Sequence, residues 1–134
     1  MRNIKIEELK FKGKVVSGIG EGRKYVEIYS SVIEDVLGIK PFPGTLNIDV
    51  GKDLSPILSK LCAFTIPPPS PKYKPVLAFM GAVEGVNGYF IKPYASIHGG
   101  NIIEFITSIN MRKTKNLKDG DTVELVIYKF SFTT

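Results

Sequence analysis

Glycine and proline cut this chain into runs too short for a helical bundle. The 13 glycines and nine prolines punctuate stretches rich in Val, Ile, Phe and Tyr. Short β-like runs between turn residues predict many short strands. Strands at this density must close or cover their edges, which points to a closed or nearly closed barrel. The expected architecture is therefore mainly β, a small barrel of six to seven strands with two or three short helices. At 134 residues, one domain covering 1–134 is expected.

Hydrophobic residues at 43% and charged residues at 23% suit a soluble globular chain. No apolar run approaches the roughly 20 residues that span a bilayer, so no membrane partner is expected. The opening "MRNIKIEELKFKGK" alternates charged and apolar residues and contains no apolar block of a signal peptide. A cytoplasmic monomer is the expectation. The single Cys62 excludes an internal disulfide and a cysteine metal cluster, and one histidine beside it argues against zinc chemistry. A net charge of +5 favours polyanions, either nucleic acid or a nucleoside triphosphate.

Along the chain, residues 13–17 and 24–29 read as two strands around the glycines of "VVSGIGEGRKYVEIY". "SSVIEDVLGI" then changes period, with Val32, Ile33, Val36 and Leu37 on one helical face, Ser31 and Glu34 in capping-box spacing, and Gly38 at the stop. Pro41, Pro43 and Gly44 turn the chain into a strand over 45–50. "DLSPILSKL" predicts a short helix with Ser55 at its cap and Pro56 in its first turn. The proline-dense 66–75 stretch reads as an exposed, stiff loop in preference to an SH3-type ligand. "VLAFMGAVEGVNGYFIKPY" predicts a hairpin turning on Asn87-Gly88. "NIIEFITSI" is a further strand, and "LKDGDTVELVIYKF" supplies a tight turn at Asp119-Gly120 and a last strand.

Three stretches could carry chemistry. The first is Gly18-Ile19-Gly20-Glu21-Gly22, which has neither the dinucleotide-loop spacing nor, on this reading, a helix after it. Closely spaced glycines still let backbone N–H groups converge on a phosphate, and Arg23 and Lys24 add positive charge. The plainer reading is a wide hairpin bulge. The second is "GTLN". On a strand, Thr45 and Asn47 face one side and offer two neutral oxygens, suited to Mg²⁺ that arrives with a nucleotide's phosphates. The plainer reading is a pair that stabilises the preceding turn. The third is "YASIHGGNIIEFITSINMR", where Glu104 is the one carboxylate in an apolar strand and shares a face with Ile102 and Ile106. His98 reads as structural, because no nucleophile accompanies it to build a triad.

Taken together, "GKVVSGIGEGR", "LGIKPFPGTLNI" and "HGGNIIEFI…MRKTKNLKDGDTVEL" resemble the archaeal CTP-dependent riboflavin kinases, which are small cradle-loop barrels. Order and spacing agree over nearly the whole chain. The resemblance implies transfer of the γ-phosphate of CTP to the 5′-hydroxyl of riboflavin, giving FMN and CDP, with Mg²⁺ as cofactor. It assigns Ile19, Gly20, Glu21, Gly22, Arg23 and Lys24 to a nucleotide-binding loop, and Ile109, Asn110, Met111 and Arg112 to a second nucleotide segment. Thr45 and Asn47 would be the metal ligands, and Ser96 and Glu104 would contact riboflavin or FMN. Glu104 is also the candidate catalytic group, to orient or deprotonate the ribityl hydroxyl. The chain departs from the family pattern at Gly99-Gly100, where a hydroxyl residue follows the histidine, and at Ser108, where proline is common.

The alternative from another class is a basic β-barrel that binds nucleic acid, in the manner of a transcription regulator, without catalysis. Such binders interleave aromatics with basic residues. Outside "PKYKP" no tight cluster of that kind is present, so nucleic acid is not the expected partner.

Overall fold

The computed structural model describes residues 3–18, 22–93 and 100–133. They form seven strands, β1 (Asn3–Val16), β2 (Leu46–Asp49), β3 (Phe64–Ile66), β4 (Val76–Val83), β5 (Val86–Pro93), β6 (Ile102–Ile106) and β7 (Thr122–Thr133). Three helices accompany them: α1 (Gly22–Leu37), α2 (Ser55–Leu58) and α3 (Met111–Thr114). The mainly β expectation holds, and the sheet is a ring. Its order is β3-β4-β5-β6-β2-β1-β7, closed by an additional β4–β7 pairing, and every pairing is antiparallel. β3 and β7 share one edge of β4, with 64–66 along 76–78 and 125–127 along 81–83. Closure leaves few unpaired backbone groups on the short strands.

Strand alternation sorts side chains to the two faces of the wall. Inside, Val15, Ile48, Phe90, Phe105, Leu125 and Ile127 make one buried cluster. Outside, Val26, Tyr29, Ile33 and Leu37 of α1 cover Ile66, Val76, Ala78, Ile91 and Ile106. Neighbouring residues of β6 therefore belong to different clusters: Phe105 faces the lumen and Ile106 faces α1.

The helix replaces an expected strand. Residues 24–29 read as β from their β-branched and aromatic content, with a separate helix from Ser31. In the structure one helix runs from Gly22, and Ser31 is an exposed residue in its middle rather than its cap. Val26, Tyr29, Ile33 and Leu37, spaced by three or four, form one stripe. Burying that stripe on the sheet outweighs the local preference of Tyr25, Val26, Ile28 and Tyr29. Gly38, at φ +70°, ends the helix as expected, its N–H bonding the Glu34 carbonyl at 2.9 Å. Gly18 thus follows a strand and Gly22 opens a helix, so the two do not belong to a hairpin bulge.

Two smaller expectations also shift. The β4–β5 hairpin turns on Glu84 (φ 47°) and Gly85 (φ 78°), both left-handed as a type I′ turn requires, and not on Asn87-Gly88. Gly88 instead lies in β5 opposite Gly81. A Cβ on Gly88 would overlap the Ile106 carbonyl and the Phe105 ring, and one on Gly81 would overlap the Val126 carbonyl and the Phe90 ring. The paired glycines make room for Phe90 and Phe105, whose centroids lie 5.0 Å apart. At α2, Leu54 rather than Ser55 holds the cap position. Asp53 Oδ1 accepts the Ser55 N–H at 2.9 Å, which also holds the Asp53 carboxyl below its usual range. The loop over 67–75 contains no helix or strand, and Tyr29 donates its hydroxyl to the Lys74 carbonyl at 2.7 Å, tying the loop to α1. Among the described residues no helix is long and apolar enough to cross a membrane.

Gly88→Ala is expected to destabilise the protein by about 1–3 kcal/mol through overpacking against Phe105. Chemical denaturation checks this, and an unchanged midpoint would contradict the packing role given to the glycine pair.

Candidate functional site

β2 and β6 lie side by side with Asn47 opposite Glu104, and Glu104 in turn opposite Ile91 of β5. This row is on the outer face of the wall, where Leu46 and Ile48 point inward and leave Thr45 and Asn47 outward. Strand spacing alone therefore brings Thr45, Asn47 and Glu104 together. The Thr45 hydroxyl donates to Glu104 Oε1 at 3.0 Å, and its oxygen accepts Asn47 Nδ2 at 3.5 Å.

The glycine segment lies directly on this row. A Cβ on Gly18 would stand 2.6 Å from Asn47 Nδ2, and one on Gly22 would stand 2.5 Å from Thr45 Oγ1. Only residues without a side chain let the backbone approach so closely. The cover buries Asn47 to 7% exposure. Among the described residues the only other buried polar side chain is Thr107, whose hydroxyl donates to the Asn87 carbonyl at 2.8 Å. Asn47 Oδ1 has no hydrogen-bond partner. A buried, unpaired amide oxygen is costly unless something else satisfies it.

A hard divalent cation would do so. Asn47 Oδ1 and Thr45 Oγ1 are neutral oxygens of the type Mg²⁺ accepts, and the described residues contain no group of three His, Cys, Asp or Glu that could hold a metal unaided. The remaining ligands must then come from phosphate and water. The donor set fits a cation that arrives with a nucleotide.

Tyr25, in the first turn of α1, completes the wall and was not singled out from the sequence. Its hydroxyl is buried. Burial, with Tyr29 and the Glu104 carboxylate nearby, pushes it well above the usual tyrosine range. Its ring stacks on Tyr29 at 4.4 Å, and Tyr29 meets Tyr73 edge-on at 5.8 Å. The aromatic residues of "RKYVEIY", read as strand formers, carried a signal that becomes legible only on a helix.

The second segment borders the same site. A cavity of about 530 Å³ is lined by Phe42, Gly44, Thr45, Thr107, Ile109, Asn110 and Arg112 among others. Asn110 caps α3, its side-chain oxygen accepting the Lys113 N–H at 3.2 Å, and Met111 is buried in the lumen cluster. Arg112 donates to Asp119 Oδ1 at 2.7 Å and to the Val16 carbonyl at 3.2 Å. Arg23 is exposed and paired with Glu27 at 3.2 Å, and Lys24 is exposed. Ile19, Gly20, Glu21, Ser96 and His98 lie outside the described residues.

The family model CTP-dep_RFKase, described as "Domain of unknown function DUF120", matches residues 15–127. The chain is 52% identical over 120 residues to a riboflavin kinase of Staphylothermus marinus, covering 90% of this chain and 92% of that protein. It is 36% identical over 120 residues to a riboflavin kinase of Aeropyrum pernix, covering 84% and 91%. It is 37% identical over 135 residues to one of Pyrobaculum aerophilum, covering 95% of this chain and 64% of that longer protein. These relatives are phosphotransferases by name.

Gly22→Ala is expected to push the Thr45 hydroxyl off Glu104 and to lower the thermal midpoint, because the new Cβ would overlap Thr45 Oγ1. A crystal structure of the variant reads the displacement. A Thr45–Glu104 bond retained at its present length would contradict the close-approach role of that glycine.

Proposed function

The chain belongs to the CTP-dependent riboflavin kinase family, and we propose that it transfers the γ-phosphate of CTP to the 5′-hydroxyl of riboflavin, giving FMN and CDP. The observation that carries this reading is the apposition of Gly18 and Gly22 with Asn47 and Thr45 at the start of a 16-residue helix. Amide groups at a helix N-terminus favour an anion, and a glycine approach lets backbone N–H groups reach one. Lys24 and Arg23 add positive charge at that end.

On this proposal the triphosphate lies along residues 19–24 and the cytidine end meets the segment Ile109–Arg112 across the cavity that Thr45 borders. Thr45 Oγ1 and Asn47 Oδ1 would hold Mg²⁺. When bound, the cation neutralises phosphate charge and fixes the reacting phosphoryl group. The protein's own residues supply alignment and proton handling.

Glu104 is the group for the hydroxyl. Its bond from Thr45 orients the carboxylate, and Tyr25 lies near enough to feel its charge. As the 5′-oxygen bonds to the γ-phosphorus, the hydroxyl proton passes to Glu104, the bond from that phosphorus to the bridging oxygen breaks, and CDP leaves. Ser96 would contact the flavin or its new phosphate.

The test is direct. Protein, riboflavin and Mg²⁺ are mixed with CTP or with ATP, and FMN is followed by chromatography. FMN with CTP and little with ATP is expected; no FMN, with tight salt-sensitive binding of an oligonucleotide, would overturn the kinase reading in favour of a nucleic-acid binder. In the same assay Glu104→Gln is expected to lower kcat by about 10²–10⁴. Asn47→Ala should fold normally and lose Mg²⁺-dependent turnover. Normal turnover in the first variant, or unchanged Mg²⁺ dependence in the second, would remove the role assigned to that residue.

A further inference from the structure

Asp119 sits in the turn between α3 and β7, far in sequence from the glycine segment, yet its two carboxylate oxygens engage both nucleotide-facing segments. Oδ2 accepts the hydroxyl of Ser17, next to Gly18, and Oδ1 accepts the guanidinium of Arg112 at 2.7 Å. Arg112 reaches on to the Val16 carbonyl at 3.2 Å, closing a loop of contacts between residues 16–17, 112 and 119. Both bonds to Asp119 favour its ionised form, and that from Ser17 has the larger effect.

The turn that carries Asp119 is itself anchored. Gly120 N–H bonds the Val15 carbonyl at 2.7 Å, and Val15 N–H bonds the Asp121 carbonyl at 2.9 Å. Asp121 Oδ2 accepts the Lys118 N–H at 2.8 Å, and Leu117 N–H bonds the Arg112 carbonyl at 2.9 Å. Asp119 therefore projects from a point fixed to the end of β1, and its carboxylate holds what lies beyond that end. In a surface pair alone this would be worth little. Here one group joins two segments that a single ligand must meet at once.

We propose that Asp119 is a positioning residue that buckles the entrance of the glycine segment to the segment Ile109–Arg112, so that a cytidine nucleotide meets a preassembled surface. The inference rests on the kinase reading for its ligand, but the buckle itself does not. The Arg112 side chain is then part of the buckle, its charge matched by Asp119, and the nucleotide is met by the backbone around it. Ordering the two segments in advance spares the ligand that cost on binding. The triphosphate end depends on the glycine segment and the flavin does not, so the effect of losing the buckle falls on the nucleotide.

The experiment compares the full-length protein with Asp119→Ala, Arg112→Ala and the double variant. Isothermal titration with CDP and Mg²⁺ is expected to show Kd raised about tenfold in each single variant, on the scale set by newly mobile side chains at a binding surface. The double variant should be no weaker than the worse single one, because each single change already opens the buckle. Steady-state assays of Asp119→Ala should show KM for CTP raised in parallel, with kcat and KM for riboflavin within about twofold of the parent. A wild-type Kd in Asp119→Ala, or a fall in kcat and a rise in both KM values together, would overturn the proposal. Hydrogen exchange at Ser17 and Gly18 separates the two layers: it should quicken in Asp119→Ala whether or not the protein makes FMN. Unchanged exchange overturns the buckle, whereas absence of FMN from the parent protein overturns only the kinase reading.

Discussion

The structure turns on a contact between backbone and side chain: the chain at Gly18 and Gly22 lies against Asn47 and Thr45 at distances no Cβ would permit. Strand register brings Thr45, Asn47 and Glu104 together, and this approach covers the first two. It buries Asn47 and leaves its Oδ1 without a partner. It brings the start of α1 over the β2–β6 wall, so the amide-rich end of a helix faces two neutral oxygens and a carboxylate. A buried unsatisfied oxygen under Gly18, beside a threonine under the first residue of a helix, is an unfavourable arrangement for an empty wall and a suitable one for a cation carried by phosphates.

The barrel makes this approach possible by its two-sided packing. Phe90 and Phe105 fill the lumen where Gly81 and Gly88 give way, and this fixes the wall on which Asn47 and Glu104 stand opposite each other. On the outer face α1 is held by its stripe of Val26, Tyr29, Ile33 and Leu37. The tyrosine chain from Tyr25 through Tyr29 to Tyr73 extends that packing from Glu104 to the proline-dense loop. The wall below and the helix above are each packed into a buried cluster, and Ser17, at the end of the wall next to Gly18, is tied to Asp119.

Much of this was legible in the sequence, and the failures share one cause. Alternation alone set Thr45 and Asn47 on one side of a strand and left Glu104 as a carboxylate among apolar residues, and the three do meet. The mainly β ring was legible from glycine and proline spacing, although β1, expected over 13–17, runs to 14 residues and β7 to 12. What misled was local preference where tertiary burial decides: "RKYVEIY" looks like a strand until its stripe is counted onward to Leu37, and Asn87-Gly88 looks like a turn although its glycine is spent on a phenylalanine ring. Correcting the first error changes the chemistry, because a glycine segment that runs into a helix is a better phosphate site than one inside a hairpin. The partnership of Ser17, Arg112 and Asp119 had no local signature, since it joins residues about a hundred positions apart.

The most direct measurement is a crystal structure of the protein with cytidine diphosphate and Mg²⁺. The account expects the diphosphate along residues 18–24 and the cation bound to Thr45 Oγ1 and Asn47 Oδ1. A nucleotide bound elsewhere on the barrel, or a cation that leaves Asn47 Oδ1 unpaired, would contradict it.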